Sequence, residues 1–207
     1  KDSLCWDNLI DRLHRDGFQK EHLQKIFADL GSPPLPEFMG QKAIELYGGK
    51  ASLAASEAQR LQFAPPDYSR IAGGMSVAAG RNRMNAHSKF FEGLYKRYGV
   101  PAPFIIAVLM VETGLGSQTG RQSALLSLGS MSVTDSLDMV LPVVSGISGE
   151  TANLNERVKA RSDWAYNELK ALIRYAQTSG KDAASIPGSV YGAIGLCQFM
   201  PSNIDAY

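Results

Sequence analysis

Phe104-Ile105-Ile106-Ala107-Val108-Leu109-Met110-Val111-Glu112-Thr113-Gly114-Leu115-Gly116 is an unbroken apolar run that ends on one acid and a glycine turn. Its β-branched residues suit a buried strand, but Pro101 and Pro103 at its opening favour a helix, because proline is tolerated where the first-turn amides have no partner. The neighbours point the same way. Met84, Ser88, Phe91, Leu94, Tyr95 and Tyr98 form one stripe ending at Gly99, which predicts a long amphipathic helix. Further out, Leu4, Leu9, Ile10 and Leu13 before Gly17, and Leu23, Ile26, Phe27 and Leu30 before Gly31, predict a short helical pair. Ala43, Ile44 and Tyr47 before Gly48, and Leu53, Ala54 and Leu61 before Pro65, are weaker helical patterns. Ser162 reads as the N-cap of a helix carrying Ala165, Leu169, Leu172, Ile173 and Ala176. Residues 63–75 read as a loop at an internal boundary, and the Ser, Gly and Val-rich residues 130–151 as a loop or mobile insert. Alternating patterns and solenoid repeats are absent, so the expected fold is mainly α with little β.

Composition narrows the chemistry. The 207 residues are 44% hydrophobic and 20% charged, with 21 Lys plus Arg against 20 Asp plus Glu and a net charge of +1. That is enough chain to bury a substantial core, and it has no basic footprint for nucleic acid. The apolar run falls short of the roughly 20 residues that span a bilayer. Cys5 and Cys197 match no zinc or redox spacing, and whether they pair is left open. The histidines have no ligand spacing, and Gly114-Leu115-Gly116 does not continue as a nucleotide-binding loop. No metal or cofactor is expected. Lys1-Asp2-Ser3-Leu4-Cys5 is not a signal peptide and lacks the small residues that precede a lipidated cysteine, so the chain is either cytoplasmic or stripped of a leader.

Glu112 is the only carboxylate between Glu92 and Asp135. A carboxyl delivered by a buried helix resists ionisation, which is what a general acid needs when it protonates a poor leaving group such as a glycosidic oxygen. The competing reading is a structural Glu that caps or pairs with a neighbouring element. In Gly188-Ser189-Val190-Tyr191-Gly192-Ala193-Ile194-Gly195-Leu196-Cys197-Gln198-Phe199-Met200-Pro201-Ser202, glycines permit close backbone approach while Ser189, Tyr191, Gln198 and Ser202 offer neutral hydrogen-bonding groups. Such groups suit a carbohydrate better than a phosphate or a cation. The alternative is an ordinary glycine-rich turn leading into a helix.

Together, Val111-Glu112-Thr113 with Gly116, and later Gly192-Ala193-Ile194-Gly195-Leu196 with Gln198-Phe199-Met200-Pro201-Ser202, resemble the membrane-bound lytic transglycosylase B family of the lysozyme-like superfamily. Tyr98-Gly99-Val100-Pro101, Gly17-Phe18 with Leu23 and Ile26, and Gly120-Arg121 with Ala124-Leu125 extend the resemblance over most of the chain. The resemblance implies a lysozyme-like helical catalytic core over residues 76–207, ending short of the family's usual C-terminal part, behind an N-terminal helical region over 1–75. It also implies cleavage of the β-1,4 bond between N-acetylmuramic acid and N-acetylglucosamine in peptidoglycan, leaving a 1,6-anhydromuramoyl end. Glu112 would be the catalytic acid and then base. Ser189 and Gln198 would contact the N-acetyl sugars, with Tyr191 as a candidate for the cleft wall. Peptidoglycan strands would be the partner, in the bacterial periplasm or cell envelope after removal of a signal peptide. Two other readings stay open: a non-catalytic peptidoglycan-binding or scaffolding protein, and a hydrolytic muramidase. The chain departs from the family pattern at Cys197, at Gly114-Leu115 and in the length of residues 130–161.

Overall fold

A computed structural model describes residues 4–48, 50–53, 74–149 and 151–204. In chain order the helices are α1 (Asp7–Arg15), α2 (Lys20–Asp29), α3 (Glu37–Tyr47), α4 (Gly74–Ala86), α5 (Ser88–Tyr98), α6 (Ala102–Thr113), α7 (Ala124–Val133), α8 (Leu137–Val140), α9 (Ala152–Ser179) and α10 (Pro201–Ile204). Two 3-10 turns (Leu141–Val143 and Ala183–Ser185) and four two-residue strands lie between them: β1 (Ser52–Leu53), β2 (Gln122–Ser123), β3 (Val144–Ser145) and β4 (Pro187–Gly188). β1 pairs antiparallel with β3, and β2 with β4 in the register Gln122 to Gly188 and Ser123 to Pro187. The fold is mainly helical, with minimal β structure.

Packing divides the chain into two units. The first holds the described residues up to Leu53, Gly120–Ile194 and those from Phe199 onward; the second holds the described residues up to Thr119 from Gly74, with Gly195–Gln198. The core of the first unit lies between α7 and α9, where Leu125, Leu128, Met131, Leu169, Leu172 and Ile173 are fully buried. Leu13 of α1, Leu23 and Phe27 of α2, and Phe38 and Met39 of α3 close over it. Each such side chain stabilises the fold by about 1.5–3 kcal/mol relative to exposure.

Two departures from periodicity occur in this unit. The loop expected over 130–151 is instead ordered through the end of α7, α8, a 3-10 turn at Leu141–Val143 and β3. Its serines are polar by composition but find backbone partners: Ser132 Oγ donates to the Gly129 carbonyl at 2.8 Å, and Thr134 Oγ1 to that of Ser130 at 2.8 Å. Small side chains satisfied in this way can be buried, and Gly129 lets Trp6 and Phe27 approach the helix. The second departure is the start of α9, ten residues before the expected cap at Ser162. Ser162 is instead a buried mid-helix residue whose Oγ donates to the Ser132 carbonyl at 2.9 Å. The early turns carry only Leu154 and Val158 inward, an i,i+4 pair too sparse to read as a stripe.

The second unit is built by α4, α5 and α6. The single helix expected from Met84 to Tyr98 is broken at His87 (φ −122°, ψ 29°), leaving Met84 in α4 and the rest of the stripe in α5. Asn85, His87 and Ser88 all have modest helix propensity, so this is where the run gives way. α5 and α6 meet at a bend of 108°. Gly80 of α4 allows close approach to Ile106 of α6, since a Cβ there would lie 2.9 Å from Ile106 Cγ2. No single helix among the described residues is long and apolar enough to cross a membrane. Of the loop expected over 63–75, residues 63–73 lie outside the described residues and Gly74 already opens α4. Of the weak helical pattern on Leu53, Ala54 and Leu61, Leu53 stands in β1 and the rest lies outside them.

Candidate functional site

α6 begins after Pro101, carries Pro103 in its first turn and stops at Gly114, whose left-handed conformation (φ 55°) turns the chain sharply. Glu112 lies in the last turn, and it is exposed rather than buried. The expected buried helix is covered on one side only: Ile106 and Thr113 are buried, while Phe104, Val108 and Val111 remain 68%, 52% and 48% exposed. A helix that is apolar all round has no polar face to show which sides its neighbours leave open, so periodicity cannot foresee this.

Thr113, the residue after Glu112, is 1% exposed. Its Oγ1 donates to the Leu196 carbonyl at 2.9 Å and accepts from the Gly116 amide at 3.1 Å. The Gly195–Gln198 turn is thereby tied to the end of the helix that carries Glu112. Gln198 Nε2 donates to the Gly195 carbonyl at 3.0 Å and to that of Thr119 at 3.4 Å. Among the described residues, the non-glycine positions with positive φ are Leu115 (59°) and Gln198 (50°), one in each of these turns. Left-handed backbone is strained for such side chains, and that strain concentrates at functional sites. An open depression of about 660 Å³ lies beside the first turn, lined by Asn82, Arg83, His87, Leu115 and Ser117 among others. Arg83 Nη2 donates to the Leu115 carbonyl at 3.2 Å.

Of the other candidates, Gln198 shares the second unit with Glu112, whereas Ser189 and Tyr191 belong to the first. Ser189 Oγ accepts from the amides of Tyr191 at 3.3 Å and Ala193 at 3.1 Å, holding the turn after β4. Tyr191 Oη donates to Glu45 of α3, and Lys42 Nζ lies 4.0 Å from its ring centroid. Burial, and then this bond to Glu45, push the Tyr191 hydroxyl well above its usual range. Burial alone would raise Glu45 too, but bonds from Lys42 and Tyr191 outweigh it and hold the carboxyl below the usual range. Cys5 and Cys197 are both free thiols. Among the described residues, no three His, Cys, Asp or Glu side chains gather in a metal-binding cluster.

Residues 1–207 match the family described as Transglycosylase SLT domain. The chain belongs to this family. It is 25% identical over 148 residues to the membrane-bound lytic murein transglycosylase B of Escherichia coli K12, covering 72% of this chain and 32% of that relative. Soluble lytic transglycosylase SltB1 from Pseudomonas aeruginosa superposes with a TM-score of 0.61 at 24% identity, over 97% of this chain and 55% of that one. SltB3 from the same organism, solved in complex with NAG-anhNAM-pentapeptide, gives 0.63 at 19% identity, over 98% and 45%. These structural matches show the shared fold. The chain spans about a third of the Escherichia coli relative and about half of the solved ones.

Within this SLT domain, several residues that position the motifs escaped sequence reasoning. Glu168 of α9 is buried and accepts from the Ser202 amide at 2.9 Å and from its Oγ at 2.7 Å, anchoring the segment after Gln198 at the start of α10. Glu45 holds Tyr191, and Thr113 holds Leu196. Glu168 carried a sequence signal as a charged residue between Ala165 and Leu169 on the inward stripe of α9, and Thr113 only as part of the quoted family motif. Gly120 lets the chain before β2 approach β4 within the first unit: it has φ 105°, and a Cβ there would lie 2.0 Å from the Gly188 carbonyl oxygen.

Proposed function

We propose that the protein is a peptidoglycan lytic transglycosylase of the bacterial cell envelope, with Glu112 as the single catalytic acid and base. The observation that carries this reading is Glu112 itself, on the last turn of α6 in a chain matched by the Transglycosylase SLT domain over its full length. The names of the Escherichia coli and Pseudomonas aeruginosa relatives support the activity, and the SltB3 complex supports a glycan ligand.

The chemistry conserves atoms without consuming water. The protonated carboxyl of Glu112 gives its proton to the glycosidic oxygen as the bond from muramoyl C1 breaks, and the N-acetylglucosamine side leaves as an alcohol. The resulting carboxylate takes the proton from the muramoyl C6 hydroxyl while O6 bonds to C1. The product is the 1,6-anhydro ring, and the carboxyl is restored. Glycosidases that use water or a covalent intermediate need a second carboxylate; an internal hydroxyl removes that need. Among the described residues of the second unit, the acids are Glu112 and Glu92, and Glu92 lies mid-way along α5. Glu112 is exposed, so its carboxyl is open to a glycan strand laid across the end of α6. Gln198, whose amide nitrogen is engaged with backbone carbonyls, presents Oε1 to an acetamido N–H. Ser189 and Tyr191 are assigned to sugar contact and to the cleft wall on family grounds.

Digestion of purified murein sacculi with wild type and Glu112→Gln, followed by mass spectrometry, tests the reading. The wild type should release anhydromuropeptides, and the variant should lose at least about 10²-fold in rate while staying folded. Ordinary reducing ends would identify a hydrolytic muramidase. Binding to sacculi without any release would identify a wall-binding protein.

A further inference from the structure

The geometry points to Thr113 as a positioning residue, whose buried hydroxyl ties the Gly195–Gln198 turn to the end of α6 and so sets Gln198 against Glu112. This rests on the reading of Glu112 as the catalytic acid, and adds to it a residue that acts without touching the substrate. Thr113 has one hydroxyl hydrogen, and the Leu196 carbonyl at 2.9 Å competes for it against the Leu109 carbonyl, one turn back in the same helix, at 3.3 Å. The shorter bond is the long-range one, spanning 83 positions in sequence. The oxygen also accepts from the Gly116 amide, so one atom fixes the turn after α6 and the turn bearing Gln198 together.

Two further contacts support this tie. Gly116 has φ 95°, and a Cβ there would lie 2.7 Å from Leu196 Cδ2, so Leu196 sits closely against a position with no room for a side chain. Gln198 Nε2 reaches the Thr119 carbonyl from the far end of the same turn. The left-handed backbone of Leu115 and Gln198 is disfavoured for either residue alone, and these contacts hold both turns in place. Glu112 precedes the anchor by one residue and Gln198 follows Leu196 by two. Loosening the tie therefore moves the acid relative to the sugar-binding amide. A misplacement of roughly 1 Å between reacting groups costs about 10²-fold in rate.

The experiment compares Thr113→Val, which keeps shape and β-branching but removes the hydroxyl, with Thr113→Ser, which keeps the hydroxyl. Both are made in the full chain carrying Cys5→Ser, so that Cys197, lying between Leu196 and Gln198, is the only thiol. For Thr113→Val the expected results are a fall in kcat of about tenfold to 10²-fold on murein glycan strands, KM within about twofold of wild type, and faster alkylation of Cys197 by iodoacetamide. Thr113→Ser should return both kcat and the alkylation rate close to wild type. Unchanged alkylation in Thr113→Val overturns the tie itself, whether or not the chain is catalytic. Faster alkylation with unchanged kcat overturns the positioning role, as does a Thr113→Ser variant as impaired as Thr113→Val. Failure of the Glu112 reading is seen separately, as Glu112→Gln retaining turnover.

Discussion

Asp16, just beyond α1, shows how single side chains join distant helices of the first unit. Hydrogen bonds from Lys170 Nζ at 3.0 Å and Tyr166 Oη at 3.1 Å hold its carboxyl below the usual carboxylate range. Burial, and then the bond to Asp16, push the Tyr166 hydroxyl up from 10.0 to about 12. The folded state therefore keeps this proton beyond the pH at which the unfolded chain releases it. Its contribution to stability is complete below about pH 10 and is lost as pH rises toward 12. Tyr166→Phe should remove the part of the alkaline stability loss that belongs to this group, read by urea unfolding between about pH 10 and pH 12. Parallel losses in wild type and variant across that window would refute the assignment. Asp16 has the opposite sign: its stabilisation is present above the unfolded value and is lost as pH falls through the folded one. Glu112 was legible in sequence as a lone acid at the end of an apolar run. The bond made by Thr113 was not, because a threonine after a glutamate carries no mark of a carbonyl 83 positions away.

At the scale of elements, apolar spacing located α1, α2 and most of α9, since each of these helices places apolar residues at helical intervals, whereas α6, apolar on every side, was legible through its opening prolines. It failed where polar residues are buried. Ser127, Ser130 and Ser132 of α7 are buried, and their helix meets α9 through the Ser162 bond to the Ser132 carbonyl. Ser162→Ala should therefore cost about 1–2 kcal/mol in urea unfolding, because a buried hydrogen bond is lost in a well-packed contact. An N-cap role at Ser162 would predict a different signature, loss of helix content over 162–179 in circular dichroism, and the mid-helix placement predicts no such change. The break at His87 was illegible for the converse reason. The stripe from Met84 to Tyr98 continues in register across it, so only backbone geometry reveals two helices.

At the scale of the whole molecule, the two units differ in how much they bury. The first encloses fully buried residues from α1, α2, α3, α7 and α9, whereas the buried apolar side chains of the second, among the described residues, are Phe91 and Ile106. Opening free energy follows buried apolar contact, so amides of α4, α5 and α6 should exchange with deuterium well before those of α7 and α9. Uniform protection across all five helices would refute this ranking. The second unit also exposes Phe90, Tyr95, Phe104 and Val108, an apolar surface that composition alone does not reveal.

By itself the sequence determined the helical class, the ends of the helices that stop at glycine, and the pairing of an isolated glutamate with a Gln-Phe-Met-Pro motif in family order. The first two are local properties, set by backbone preferences and by residues within a few turns of each other; the last rests on the family resemblance. Tertiary structure alone decided that residues 195–198 join the unit of Glu112, that Ser189 and Tyr191 belong to the other, and that Glu112 lies exposed. The physical reason is that burial and long-range hydrogen bonds depend on which elements pack together. Thr113 meets Leu196, Glu168 meets Ser202 and Gly120 meets Gly188 only once the chain has folded back on itself.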